Sequence, residues 1–510
     1  MKQKNKQEKQ PQPLRAEAQP ESILFWKFIV EKQQLTEWII CFLSCLAGYL
    51  CITYFYPYPA TYSDSFSYVA AAADNQFYIF RPFGYSAFLR FLHPISSSMA
   101  FVVISQFFLY FISVSLLVLS LKKYYPLKAY IRIPVTILIA IFPATIYMLN
   151  ALMSDALFCC TILMMIAMLL VLFNDKRLTW VAAIVYLIAF HCSLYLRYSA
   201  MFFPIAIIPF LLFVRKQWIK WSVIAMTCIV FALFHKNISE NMYKTVHLHQ
   251  FSTGFDGWQL ANNGLHILPY LEETDTPKNK KIAHLHHFCM DSRFDSLIQV
   301  VTCGGKAVTA EYLWNRDLPL KQYLFQYMQE KRMSYPVAWA KLGGGLYSDY
   351  GKWLIINHPG LFFKYYLSKN ILSGFYPTFL ELVGHYSEIP TGDKDIIRWF
   401  DANEDEPFPC KNPVFEKMPP KLLPVLELVD WILMLLAVVV LCTLYKTSFS
   451  KREKILSFGL IFVFGFLYYG STIFASPIAL RYWMPMHALK WAIVWMALSE
   501  LSQRLSIRNQ

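Results

Sequence analysis

Residues 155–173 read DALFCCTILMMIAMLLVLF, a run whose single charge is its first residue. As a helix it would rise roughly 28 Å, close to the ~30 Å of a bilayer's hydrocarbon core. Comparable runs lie on either side, at 37–56, 99–120, 133–149, 178–195, 199–214, 221–235, 424–444, 456–474 and 482–499. The pattern predicts an all-α polytopic membrane protein with about ten transmembrane helices, in which every backbone polar group is satisfied within its own segment.

Composition agrees with that reading. The 510 residues are 56% hydrophobic, 17% aromatic and 16% charged, and the mean hydropathy is +0.37, too apolar for a soluble domain of this size. The net charge of +14 does not point to nucleic acid, because the basic residues sit in short runs between apolar segments, where they orient spans. The 11 cysteines are scattered, several inside apolar runs (Cys41, Cys45, Cys159, Cys160), with no CxxC spacing, and read as small packing residues. The opening MKQKNKQEKQPQPLRAEAQPES has almost nothing to bury and reads as a disordered tail ahead of an uncleaved signal anchor.

Basic residues recur in every second connection: the N-terminal tail; Lys122, Lys123, Lys128 and Arg132; Lys176 and Arg177; Arg215, Lys216 and Lys220; Lys446, Lys451, Arg452 and Lys454; Arg504 and Arg508. Both termini are therefore expected in the cytoplasm. Four regions follow: a cytoplasmic polar tail at 1–35, an N-terminal transmembrane module at 36–235 with its first external loop at 57–98, an external loop domain at 236–423 with amphipathic helices, and C-terminal transmembrane helices at 424–510. Within the external domain, YLWNRDLPLKQYLFQYMQEKR and WLIINHPGLFFKYYLSKNIL have the aromatic, amphipathic character of helices at a membrane interface. No internal repeat is visible, which counts against a transporter built from two related halves.

The first external loop contains YPYPATYSDSFSYVAAAADNQFYIFRPFGYSAFLRFL, an acidic residue opening an alanine-rich helix and an Arg-Pro introducing a second, amphipathic one. This layout, with an early carboxylate and then R-P-x-G-Y-x-x-F-L, resembles the first external loop of bacterial GT-C glycosyltransferases related to the protein mannosyltransferases and aminoarabinose transferases. MSDALF at 153–158, the INHPGLFFKYYL segment and the late IALRYWMP are similar to elements of the same group. The resemblance implies an integral-membrane inverting glycosyltransferase, in a bacterial inner membrane with its active site on the outside. It would move a sugar from a polyprenyl-phosphate donor to a lipid, glycan or protein acceptor. Membrane lipids would be its other partners.

On that reading Asp64 is the candidate general base, accepting the acceptor hydroxyl's proton as C1 is attacked while the phosphate leaves without strong acid help. The alternative is that Ser63 or Asp64 caps the helix beginning near Ser65. Asp155, at the outer end of a span, is the second catalytic candidate, against a simple helix N-terminal role. No cofactor is required by the sequence; a divalent metal bridging Asp64 and Asp155 is a weaker expectation, since Ser63 and Ser65 flank a single Asp64, with Asp74 ten residues on, where relatives carry an acidic pair. Arg81, Arg197 and Arg481 lie on the face that the positive-inside pattern leaves poor in charge, so an anion is their simplest partner, and guanidinium groups grip phosphate bidentately. The Arg481–Tyr482 pair matches an arginine that contacts the carrier phosphate in the resembling enzymes. Snorkelling to ordinary headgroups is the competing reading, strongest for Arg90.

His284, His286 and His287 near Cys289 lack zinc-site spacing. Two of Cys289, Cys303 and Cys410 could pair in an oxidising compartment, with the choice open. Gly343, Gly344 and Gly345 are no phosphate loop, lacking GK[ST], and read as a flexible turn near the cavity mouth. Two further function classes stand beside the transferase. A transporter or flippase of polyprenyl-linked glycans would need the external arginines but no base. A non-enzymatic assembly factor would need neither.

Overall fold

The computed structural model describes residues 24–175, 180–250, 252–272, 274–303, 308–376, 394–401, 419–447 and 452–508. Lys176, Arg177, Lys451 and Cys410 lie outside them. Among the described residues the fold is all helical, with no strand and one isolated parallel bridge, Ala60 to Ala151. Six helices among them are long and apolar enough to cross a membrane, or seven if the pair Ala129–Ala140 and Pro143–Leu149, bent by 42°, counts as one span. The chain is an integral membrane protein. Ten spans are not reached on these criteria. Trp180–Leu196 and Tyr198–Leu211 are apolar but shorter, and Met484–Arg508 carries His487, Lys490 and Glu500 along its length.

We label the helices that build the bundle α1 (Leu35–Phe55), α2 (Ser63–Asp74), α3 (Gly84–Leu92), α4 (Met99–Tyr124), α5 (Ala129–Ala140), α6 (Pro143–Leu149), α7 (Ser154–Asn174), α8 (Trp180–Leu196), α9 (Gln217–Val246), α10 (Pro419–Thr447), α11 (Arg452–Ala475) and α12 (Met484–Arg508). Helix α7 is the axis: 89% of its apolar window is buried, against 67% for α4 and 22–33% for α1, α9, α10 and α11. A helix apolar on every side can be buried on every side, and α7 packs against α4, α8, α11 and α12. The outer helices keep apolar side chains such as Leu233, Phe466 and Val439 exposed, as lipid contact requires.

One end of the bundle is fastened by ion pairs. Glu37 of α1 is buried and meets Lys122 and Arg132, and Asp175 takes Lys123 at 3.0 Å and the backbone N–H of Phe25 at 3.2 Å. Arg215 meets Glu453, and Lys454 meets Glu500. Several of the basic residues that mark alternate connections are therefore also interhelical clamps.

The region expected as an external domain from 236 begins within α9, which runs on to Val246, and its later boundary at 423 falls within α10. Between them short helices pack around Trp258 and Trp339, both fully buried and stacked at 4.0 Å. The glycine triplet is not a flexible turn. Gly343–Tyr347 is a π-helical segment between Tyr335–Leu342 and Ser348–Asn357, pressed against Phe255–Leu265. A Cβ on Gly343 would lie 2.2 Å from the Gly254 carbonyl oxygen, and one on Gly257 1.8 Å from that of Gly343. Close backbone approach, rather than freedom, is what Gly343 and Gly257 supply.

Candidate functional site

Opposite the clamped end, the connection after α1 is sewn to the start of α7. The backbone N–H of Ala60 donates to the Asn150 carbonyl at 2.8 Å, and that of Leu152 to the Ala60 carbonyl at 2.9 Å. Gln106, buried in α4, donates to the carbonyls of Leu149 and Ala151 at 2.9 and 3.0 Å and accepts from the Tyr85 hydroxyl at 2.9 Å. One amide thus satisfies two carbonyls left by the break between α6 and α7, as buried backbone requires.

These contacts fix α2, which begins at Ser63, earlier than expected. Its start is capped by Ser65, whose Oγ accepts from the Tyr62 backbone N–H at 2.9 Å and donates to the Leu152 carbonyl at 2.8 Å. Asp64 makes no capping bond. Its buried carboxylate instead lies between two guanidinium groups: Oδ1 meets Arg81, and Oδ2 accepts from Arg481 Nη1 at 2.8 Å. Burial pushes its carboxyl up, but Arg81 and Arg481 outweigh this and hold it down at about 2.

Arg81 and Pro82 lead into α3, which lies against α8 at Gly84, where a Cβ would be 2.4 Å from the Tyr195 carbonyl oxygen. That approach places the Arg81 loop beside the end of α8, where Arg197 follows. Arg197 meets Asp155 Oδ1. Asp155 is 2% exposed, and its Oδ2 has no hydrogen-bond partner among the described residues. Tyr482 joins the two pairs, with its ring 4.7 Å from the Arg197 guanidinium carbon and 5.3 Å from that of Arg481. Its backbone carbonyl accepts from the Tyr468 hydroxyl at 3.1 Å.

All six residues expected in the site, Asp64, Asp155, Arg81, Arg197, Arg481 and Tyr482, therefore meet in one cluster. Three guanidinium groups face two carboxylates, a surplus of one positive charge. No family model, curated protein or solved structure matches the chain. The cluster's chemistry must stand on its own geometry. Arg90 is apart from it, exposed and donating to the Ala72 carbonyl at 3.1 Å.

The residues do not fit a bridging metal: Asp64 spends both oxygens on guanidinium groups, and among the described residues no group of three His, Cys, Asp or Glu side chains could hold an ion. His286 is buried with Nδ1 3.0 Å from the Tyr350 hydroxyl. Cys289 is buried and free, while the Cys303 side chain lies outside the described residues. Sequence reading missed Ser65, Gln106 and Tyr68, whose hydroxyl is 2.8 Å from Ser154 Oγ. A glutamine inside an apolar run was the available signal for Gln106.

Proposed function

We propose that the chain is an integral-membrane glycosyltransferase of the inverting type, taking a sugar from a polyprenyl phosphate at the Asp64–Asp155 cluster. The observation that carries this reading is the convergence of five charged side chains from separate segments, with cations in excess, at one end of a lipid-embedded bundle. The charge of a phosphodiester donor, and the second charge that develops as polyprenyl phosphate leaves, are matched by two or three arginines, and a lipid tail by the apolar helix surfaces beside them.

In the transfer, an acceptor hydroxyl attacks the sugar's C1 from the face opposite the phosphate. The C1–O bond to phosphate breaks, its electron pair stays on the phosphate, and the hydroxyl proton passes to Asp64. A carboxylate held at about 2 by two arginines is a poor base. The reading therefore requires the donor phosphate to draw Arg81 and Arg481 onto its own oxygens, which returns basicity to Asp64 as the reacting groups assemble. Arg197, paired with Asp155, flanks the same phosphate and stabilises its charge as it leaves. The non-cytoplasmic position of the site belongs to this proposal.

A second reading, a transporter of polyprenyl-linked glycans, is favoured by one observation. Glu427 and Asp430 of α10 and His487 and Lys490 of α12 form a buried ionic network within the bundle, and intramembrane charges often mark transport paths. The deciding experiment supplies purified protein in nanodiscs with a polyprenyl-phosphate sugar and follows the lipid product. Release of polyprenyl phosphate, abolished by Asp64→Asn, supports the transferase. Intact donor at high enzyme concentration with a panel of acceptors overturns it.

A further inference from the structure

Beside the arginine cluster the external domain buries one more cation. Lys321, in the first turn of the helix Pro319–Lys331, is 3% exposed. Its ammonium lies 4.2 Å from the ring centre of Trp339, 5.0 Å from that of Trp258 and 5.6 Å from that of Trp314. Its one hydrogen bond among the described residues is to the Tyr335 hydroxyl, at 2.5 Å. No carboxylate among those residues pairs with it.

That placement opposes the ammonium three times. Burial removes its hydration, the positive end of a helix lies behind it, and Arg316 repels it; burial, then Arg316, bring it down to about 7. Aromatic faces offset part of this cost. An anionic partner would offset the rest, and one wall of the enclosure reaches the surface. Trp314 is 44% exposed, and its ring centre also lies 5.9 Å from the guanidinium carbon of Arg81, the residue paired with Asp64. One accessible indole is therefore shared by the buried ammonium and by the arginine of the candidate active site.

We propose that Trp314, Lys321 and Tyr335 form an acceptor subsite for an anionic sugar, one whose ring stacks on the indole and whose carboxylate or phosphate pairs with the ammonium. The indole supplies the flat apolar face that the C–H face of a pyranose covers, and the ammonium supplies selection for charge, since a neutral sugar leaves it unpaired. Arg81 sets the register, placing a sugar bound here next to Asp64. The assignment rests on the transferase reading and narrows its acceptor to a charged glycan.

The test is equilibrium binding by the full-length protein in nanodiscs of four probes: a hexuronate, a hexose 6-phosphate, the neutral hexose and inorganic phosphate. Both anionic sugars should bind roughly tenfold to a hundredfold more tightly than the neutral hexose. A preference confined to one of them identifies the acid group. Lys321→Met should erase the preference without lowering the unfolding temperature, because methionine fills the aromatic enclosure without a buried charge. Lys321→Arg should restore part of the preference, and Tyr335→Phe should weaken it. Trp314→Ala should reduce sugar binding but leave inorganic phosphate unchanged. Equal binding of neutral and anionic hexoses, or full selectivity in Lys321→Met, overturns the subsite. Selective binding by a protein that never consumes a polyprenyl-phosphate sugar would instead overturn the transferase reading and leave the subsite standing.

Discussion

Arg481, at the entry to the last helix, donates to Asp64 in the first turn of α2 at 2.8 Å across 417 residues of chain. The contact closes the bundle at its first and last segments and places the proposed base and the proposed phosphate ligand in each other's hands. Both roles are open to experiment because the contact can be broken from either side.

Asp64→Asn should abolish sugar transfer. The amide keeps the size of the side chain but cannot accept a proton or neutralise Arg81 and Arg481. With that charge gone the cluster is more cationic, so polyprenyl phosphate should bind as well as or better than in the wild type. Turnover and carrier affinity measured on one preparation check both halves; substantial turnover at saturating donor would end the general-base role.

The same carboxylate should leave a pH signature in stability. Its folded value, about 2, is below the ordinary 3.8, so its contribution is complete above pH 4 and is lost as the pH falls toward 2. The difference is on the order of 2 kcal/mol at most. Unfolding temperature followed from pH 6 to pH 2 should fall more steeply for wild type than for Asp64→Asn, with the curves converging at the acid end. Parallel curves would mean that the ion pair contributes nothing to the fold.

Gln106→Leu tests how the first loop is held. The substitution orphans the carbonyls of Leu149 and Ala151 and the hydroxyl of Tyr85 in a buried place, and each such loss typically costs about 1–3 kcal/mol. The expected outcome is a clear drop in unfolding temperature together with lost activity, since Asp64 and Asp155 flank this joint. Gln106→Glu adds a buried charge and should be worse. An unchanged unfolding temperature in Gln106→Leu would show that the loop is fastened elsewhere.

The helical membrane character was legible because repeated apolar runs near 20 residues have almost no place in a soluble fold and match the thickness of a bilayer. The members of the cluster were legible because charge is rare in those stretches of the chain: Asp64, Asp155, Arg81, Arg197 and Arg481 stood out against apolar neighbours, and all five converge. Their pairing was not. Whether Asp64 is free, capping or ion-paired depends on residues 17 and 417 positions away, and no local pattern encodes that distance. Lys321 was hidden for a related reason, lying in a helix whose aromatic periodicity reads as a membrane surface. The glycine triplet misled because permissive backbone and close packing call for the same residue; only the Gly254 and Gly257 backbones opposite separate the two.

The alternation of basic connections makes a prediction about orientation. Reporters fused at 125, 217 and 450 should be cytoplasmic and one after 300 external; position 450 lies outside the described residues. The ion pairs of Lys122, Lys123, Arg132, Arg215 and Lys454 at one end of the bundle reduce the free charge available for the positive-inside effect. Neutralising Glu37 should strengthen it, not reverse it. A cytoplasmic signal at 300 would overturn the topology and the proposed external active site together.

The phosphate site is tested by Arg481 itself. A charge-assisted contact to phosphate is commonly worth about 1.5–3 kcal/mol, so Arg481→Ala should weaken donor use roughly tenfold to a hundredfold. Lysine keeps the charge but not the two-pronged donor, and Arg481→Lys should recover part of the loss. Because Arg481 also pairs with Asp64, one substitution cannot separate phosphate binding from the tuning of Asp64. Polyprenyl-phosphate affinity measured in the Asp64→Asn background can, because there Arg481 has no carboxylate to tune and its removal reports on the phosphate alone. Arg90→Ala is the control, an exposed arginine in the last turn of α3 that bonds a backbone carbonyl outside the cluster, and it should bind and turn over donor nearly as wild type does. If Arg481→Ala were as mild as Arg90→Ala in both backgrounds, Arg481 would be a structural tie for Asp64 and the donor phosphate would have to sit elsewhere.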